Sequence, residues 1–152
     1  MCKADQDMRE RNLSNEEFWD DSVDALNTKR MKEVIDSVGW PTIGMVGRDA
    51  SHDAWLLVQH ADKDVLFQER CLVLMKSAPA GEVDLHDIAY LEDRVRVNKN
   101  LPQVYGTQFR NFVLRPIEEP EKVDERRRAM GLSSLAEGIE AHNRKYSSWK
   151  PN

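Results

Sequence analysis

Along most of the chain, apolar side chains recur every three or four residues, the period of a helix with one buried face. Met31, Val34, Ile35 and Val38 sit at i, i+3, i+4 and i+7 ahead of Gly39 and Pro41, so residues 28–38 are predicted to be helical. Ala50, Ala54, Leu57, Val58 and Ala61 share one face over residues 49–61. Trp55 and Leu56 widen that arc, as expected of a central helix covered on more than one side. A helix over 64–78 is broken by Pro79-Ala80-Gly81, and Asp84 caps another to about Val97, with Leu85, Ile88, Leu91 and Val95 facing the core. Residues 3–11 are polar helix formers and predict a short first helix. Ser14 and Glu17 have capping-box spacing and open a second stretch at Asn15. Between 39 and 47, three glycines and a proline among large apolar residues predict a packed loop. Pro120 starts a helix over 121–130 with acids first and Arg126, Arg127 and Arg128 last, and Ser133 or Ser134 caps a final helix to Tyr146 before a frayed tail, 147–152.

The period changes at Gln103. Gln103 to Phe109 and Phe112 to Ile117 are β-branched and aromatic, and Arg110-Asn111 separates them, which predicts a small antiparallel hairpin. Strand alternation would place Gln103, Tyr105 and Thr107 on one face and Val104, Gly106 and Gln108 on the other. For Tyr105 and Gln108 to reach one site, the backbone at Gly106-Thr107 must be irregular. Gly106 marks a close approach, either of another element or of a ligand. The expected fold is mainly α: one single-domain helical bundle, residues 1–152, with a two-stranded hairpin near 103–117.

Composition narrows the function. The 152 residues are 40% hydrophobic and 32% charged, with 22 Lys and Arg against 27 Asp and Glu and a net charge of −5. That suits a folded domain and opposes nucleic-acid binding through phosphate neutralisation. There is no apolar run of membrane-spanning length and no secretory leader, so a cytoplasmic protein is expected. Cys2 and Cys71 cannot make a disulfide framework. The phosphate-loop, dinucleotide, zincin and nucleophile-elbow motifs are absent. His52 and His60, eight residues apart, have no third or fourth ligand at a recognisable spacing, so no metal and no cofactor is expected.

Polar residues beside apolar ones remain. His52, Gln59 and His60 lie on one side of the 49–61 helix; His60 either bonds a carbonyl or carboxylate at the core edge or acts in a site. Asp93 and Arg94, between Leu91 and Val95, are either a rim ion pair or a pair of which one member is drawn inward. The run Asp124 to Arg128 reads as a solvated helix face, and Met8, Met31, Met45, Met75 and Met130 as fillers of core gaps.

Gly39-Trp40-Pro41-Thr42, Leu57 to Asp62, Ala89 to Val95, Gln103 to Gln108, Pro116-Ile117-Glu118 and Val123 to Arg127 through Gly131-Leu132, with Asp5 to Arg9 and Asp24 to Thr28, resemble the bacterial domain of unknown function 6624 over nearly the whole chain. Two departures are Asn98 to Leu101, where the family tends to have a glycine, and Gly138, where it tends to have an aromatic. The resemblance implies no activity. It implies that the characteristic positions are polar: Asp5, Gln6, Arg9, Asn27, Gln59, His60, Asp93, Arg94, Gln103, Tyr105, Thr107 and Gln108, the makings of a ligand pocket. The expected function is binding of a small polar or anionic molecule, or a peptide end, with non-covalent acid/base catalysis as an option. His60 would be the acid or base, oriented by Asp93. Arg94 would hold an anionic group, and Gln59, Gln103, Tyr105, Thr107 and Gln108 would contact substrate. The contrasting expectation is an interaction or immunity-type regulatory module whose polar set is a buried structural network. An open His60 favours the first, a fully paired one the second.

Overall fold

The computed structural model of the chain describes residues 2–14 and 21–146, with side chains for 2–10 and 22–146. Among them are eight α-helices and one two-stranded antiparallel sheet, a mainly α fold. The backbone divides into two compact units, residues 1–87 and 88–152.

The first unit holds α1 (Cys2–Ser14), α2 (Asp21–Val38), α3 (Ile43–Val46), α4 (Arg48–Gln59), α5 (Val65–Ser77) and the first residues of α6 (Leu85–Asn98). α4 is central, packing on α1, α2, α3 and α5. Its wide arc explains this: Ser51, Ala54, Trp55, Leu57, Val58 and Gln59 are all buried, although Ala50 is exposed. Met31 and Ile35 bury the face of α2 that the spacing predicts. Val38 and Leu85, expected in the core, are about half exposed, because each is the terminal residue of its helix. Asp64 caps α5 by accepting from Phe67 N at 3.1 Å. Residues 39–47 contain the one-turn α3 where a loop is expected; Trp40 and Pro41 are buried, but Gly44 to Gly47 are exposed. Ser14 ends α1, and the helix start expected at Asn15 lies outside the described residues, as does the tail 147–152.

The second unit holds the rest of α6, β1 (Phe109–Arg110), β2 (Val113–Leu114), a 3₁₀ turn at Pro120–Lys122, α7 (Val123–Ala129) and α8 (Leu135–Lys145). The hairpin is far shorter than predicted. Its turn is Asn111-Phe112, one residue later than expected, with φ of 50° and 62° at the two central positions. That left-handed turn matches the twist of paired strands, and it succeeds without glycine. Residues 103–108 are not a strand; a single parallel bridge joins Gln103 to Ile117. Asn100, at φ 58°, takes the left-handed position after α6 that a glycine would suit. Ser134 caps α8 in a reciprocal capping box with Glu137. Two expectations fail: Met45 is more than half exposed and does not fill a core gap, and Arg127 is buried although its run was expected to be a solvated face.

Candidate functional site

His60 ends α4 as its C-cap, donating its backbone N–H to Leu56 O at 3.2 Å. Buried Gln68, from α5, donates its amide to the carbonyls of Val58 and Gln59 at 3.1 and 3.2 Å, so the helix end that carries His60 is tied down. The imidazole meets α1. Asp5 Oδ2 lies 2.8 Å from His60 Nδ1 and accepts from Gln6 Nε2 at 2.8 Å, while Asp5 Oδ1 accepts from Arg9 Nε at 3.2 Å. Helical i, i+4 spacing brings Asp5 and Arg9 together, and Arg9 also reaches Asp24 of α2 at 2.8 Å. Asp5 is fully buried. Burial alone would raise its carboxyl, but the His60 and Arg9 bonds outweigh that and hold it at about 2. Asp24 is raised, by burial and by the nearby Asp5, against the pull of Arg9.

Two contacts compete at His60 Nδ1. Arg9 Nε also lies 2.9 Å from His60 Nδ1, but both are donors if Nδ1 carries a proton. A carboxylate held low is acceptor-only, so the 2.8 Å approach of Asp5 favours Nδ1–H, with Arg9 Nε directed to Asp5 Oδ1. In a neutral ring of that tautomer, Nε2 is a lone-pair nitrogen. It has no hydrogen bond to any described residue, and 15% of the side chain is open to solvent. Buried polar atoms of the same unit, among them Asn27 Nδ2, Gln59 Oε1 and Trp40 Nε1, also have no partner among the described residues. Asn27 is one helical turn from Asp24, and Gln59 is the neighbour of His60.

The remaining predicted residues form a second cluster, within the second unit. Asp93 is fully buried on α6 and serves the loop 103–108. Its Oδ1 accepts from Val104 N at 2.6 Å and Tyr105 N at 3.0 Å, and its Oδ2 from Thr107 N and Thr107 Oγ1, both at 2.9 Å. The loop's carbonyls turn the other way, Val104 O accepting from Arg126 Nε at 2.8 Å and Tyr105 O from Arg127 Nη1 at 2.7 Å. Gln103 closes the loop, its amide bonding Gln108 N, Gln108 O and Arg115 O at 2.9, 3.1 and 2.8 Å. Gln108 accepts from Arg94 at 3.2 Å. Tyr105 Oη donates to Glu92 at 3.3 Å, and burial together with Glu92 pushes its hydroxyl up to about 12. The irregular backbone predicted at Gly106-Thr107 is present: Gly106 has φ 72°, and a Cβ there would come within 2.6 Å of Leu135 and 2.9 Å of Ile117. That close approach comes from side chains of the same unit.

The carboxylate on His60 is thus Asp5, while Asp93 is occupied by loop donors. Asp24 was legible only as part of the family resemblance; the Asp5–Arg9 spacing was the available signal for the rest. Burial pushes both thiols, Cys2 and Cys71, up to about 12, so neither offers a thiolate nucleophile at neutral pH. Among the described residues no group of three or more His, Cys, Asp or Glu is arranged to hold a metal ion, and no helix is long and apolar enough to cross a membrane. A family model described as a family of unknown function, DUF6624, matches residues 1–148. No curated protein and no solved structure matches the chain.

Proposed function

We propose, from the premise that the chain belongs to the family of unknown function DUF6624, that it binds a small polar molecule at the Asp5–His60 pair, with His60 Nε2 as the proton-transferring atom. The observation that carries this reading is the 2.8 Å approach of the buried Asp5 carboxylate to His60 Nδ1, with Nε2 bonded to no described residue; with the proton on Nδ1 of a neutral ring, Nε2 keeps its lone pair. In that state Nε2 can take a proton from a bound hydroxyl or amine, and Asp5 would stabilise the imidazolium that forms and keep the ring in place for the return transfer. Asn27 Nδ2 and Gln59 Oε1, a buried donor and a buried acceptor without partners among the described residues, lie in the same unit. An anion would have to compete with Asp5 and Asp24 for Arg9. In the second unit Arg94 is the candidate contact for an anionic ligand. With both thiols held as neutral groups, non-covalent acid/base chemistry fits better than a covalent intermediate. The free cysteines Cys2 and Cys71 are in keeping with a reducing, cytoplasmic setting in a bacterium.

The second reading, a regulatory interaction module, draws its support from the Asp93 cluster, where both carboxylate oxygens are answered within the protein. A thermal-shift screen of small polar metabolites separates the two, because a ligand that binds only the folded state raises its melting temperature. The proposal expects a hit whose effect is lost in His60→Gln. A hit that stabilises His60→Gln as well as the wild type would remove His60 from the site.

A further inference from the structure

The first turns of α4 and α6 line a partly open cavity of about 200 Å³ whose lining includes neither His60 nor any of its partners. A water's share of liquid volume is about 30 Å³, so the space suits a solute of only a few heavy atoms. Three carboxylates, Asp49, Asp84 and Asp87, line it against one guanidinium, Arg48, which Asp84 already holds at 3.0 Å. Asp87 is buried, and both its oxygens face His52 Nδ1, at 3.0 and 3.1 Å. An ionised Asp87 favours the proton on His52 Nδ1, which in the neutral ring leaves Nε2 an acceptor.

Helix dipoles account for acids at first-turn positions, so the carboxylates alone would be read as caps. They do not account for Ser51. This residue lines the cavity and is only 4% exposed, yet its hydroxyl bonds no described residue. The Asp87 carboxylate and the Ser51 hydroxyl are acceptors on one small space that His52 also lines, and their complement is a group with several N–H donors and a positive charge.

We infer that this cavity is a second ligand site, taking a small organic cation of the primary ammonium class through Asp87, Ser51 and His52. Burial lifts the Asp87 carboxyl to about 6 even though His52 pulls it down. The site stands independently of the reading of His60.

The test is a nuclear magnetic resonance titration of the full chain with propylammonium chloride and, at the same ionic strength, with sodium propionate, a probe of similar size and opposite charge. Propylammonium should shift the Ser51 amide and the His52 ring saturably, and propionate should not. Ser51→Ala should weaken binding by roughly threefold to tenfold and Asp87→Asn by about tenfold or more, the ranges for a neutral and a charged hydrogen bond. An unshifted His60 ring in both variants shows that the unit is still folded. Absence of a saturable shift with propylammonium, an equal response to propionate, or undiminished affinity in Asp87→Asn would overturn the assignment.

Discussion

Asp5 and Asp93 are both fully buried carboxylates, each the hub of a polar cluster in its own unit, and they titrate in opposite directions. Asp5 faces a guanidinium and an imidazole, charged or chargeable partners that outweigh its burial and hold it at about 2. Asp93 faces backbone amides and one hydroxyl. Burial outweighs those neutral donors and leaves it above the usual carboxylate range. The partners also differ in what they leave over. Every donor on Asp93 is spent on fixing one loop, whereas His60 keeps a second nitrogen beyond its bond to Asp5. Asp93 organises backbone, whereas Asp5 meets an imidazole whose other nitrogen bonds no described residue.

The contrast breaks first at Asp93. Asp93→Ala strips the partners from three buried backbone amides and a hydroxyl, and should cost about 3–5 kcal/mol in urea unfolding. Asp93→Asn should cost less, about 1–3 kcal/mol, because its amide donor would face Thr107 N–H. Gly106→Ala should follow at about 2–4 kcal/mol, combining a left-handed backbone with a collision against Leu135 and Ile117. All three should leave ligand stabilisation at His60 intact when compared at equal fractions folded.

Asp5→Asn should cost about 1–3 kcal/mol near neutral pH and, unlike the second-unit variants, should also abolish ligand stabilisation. Its pH signature has a definite sign. The Asp5 carboxyl is depressed on folding, so its contribution is present above about 4, the unfolded value, and is lost as pH falls toward 2. The variant should therefore show a flatter acid limb in melting temperature. Asp87 has the opposite sign: raised to about 6, it favours the folded state fully below about 4, and that contribution disappears as pH rises through about 6. Asp87→Asn should remove this decline. The smallest stability effect is at His60 itself, where Gln should change unfolding by about 1 kcal/mol or less while eliminating ligand binding.

How much of this was legible varied with range. Periodicity located α2, α4, α5 and α6 because a buried helical face writes itself every three or four residues, as Met31 with Ile35 and Leu57 with Val58 show. It misjudged residues 103–108, because β-branched and aromatic content there serves a loop whose hydrogen bonds go to Asp93, Arg126 and Arg127 instead of a neighbouring strand. That pairing is tertiary and leaves no period. The same limit applies at His60: polarity singled out the residue, but its partner Asp5 lies 55 positions away, on a helix whose own pattern is almost uniformly polar. Spacing could join Asp5 to Arg9 and Asn27 to Asp24, each within one helix; it could not join α1 to α4.

The most direct measurement of the central claim is the protonation pattern of the His60 ring, read from ¹⁵N-detected two-bond correlations at neutral pH. A proton on Nδ1, a lone pair on Nε2 and the loss of this preference in Asp5→Asn are the predicted result. A neutral ring with its proton on Nε2, unchanged in Asp5→Asn, would contradict it and would leave His60 without a base to offer.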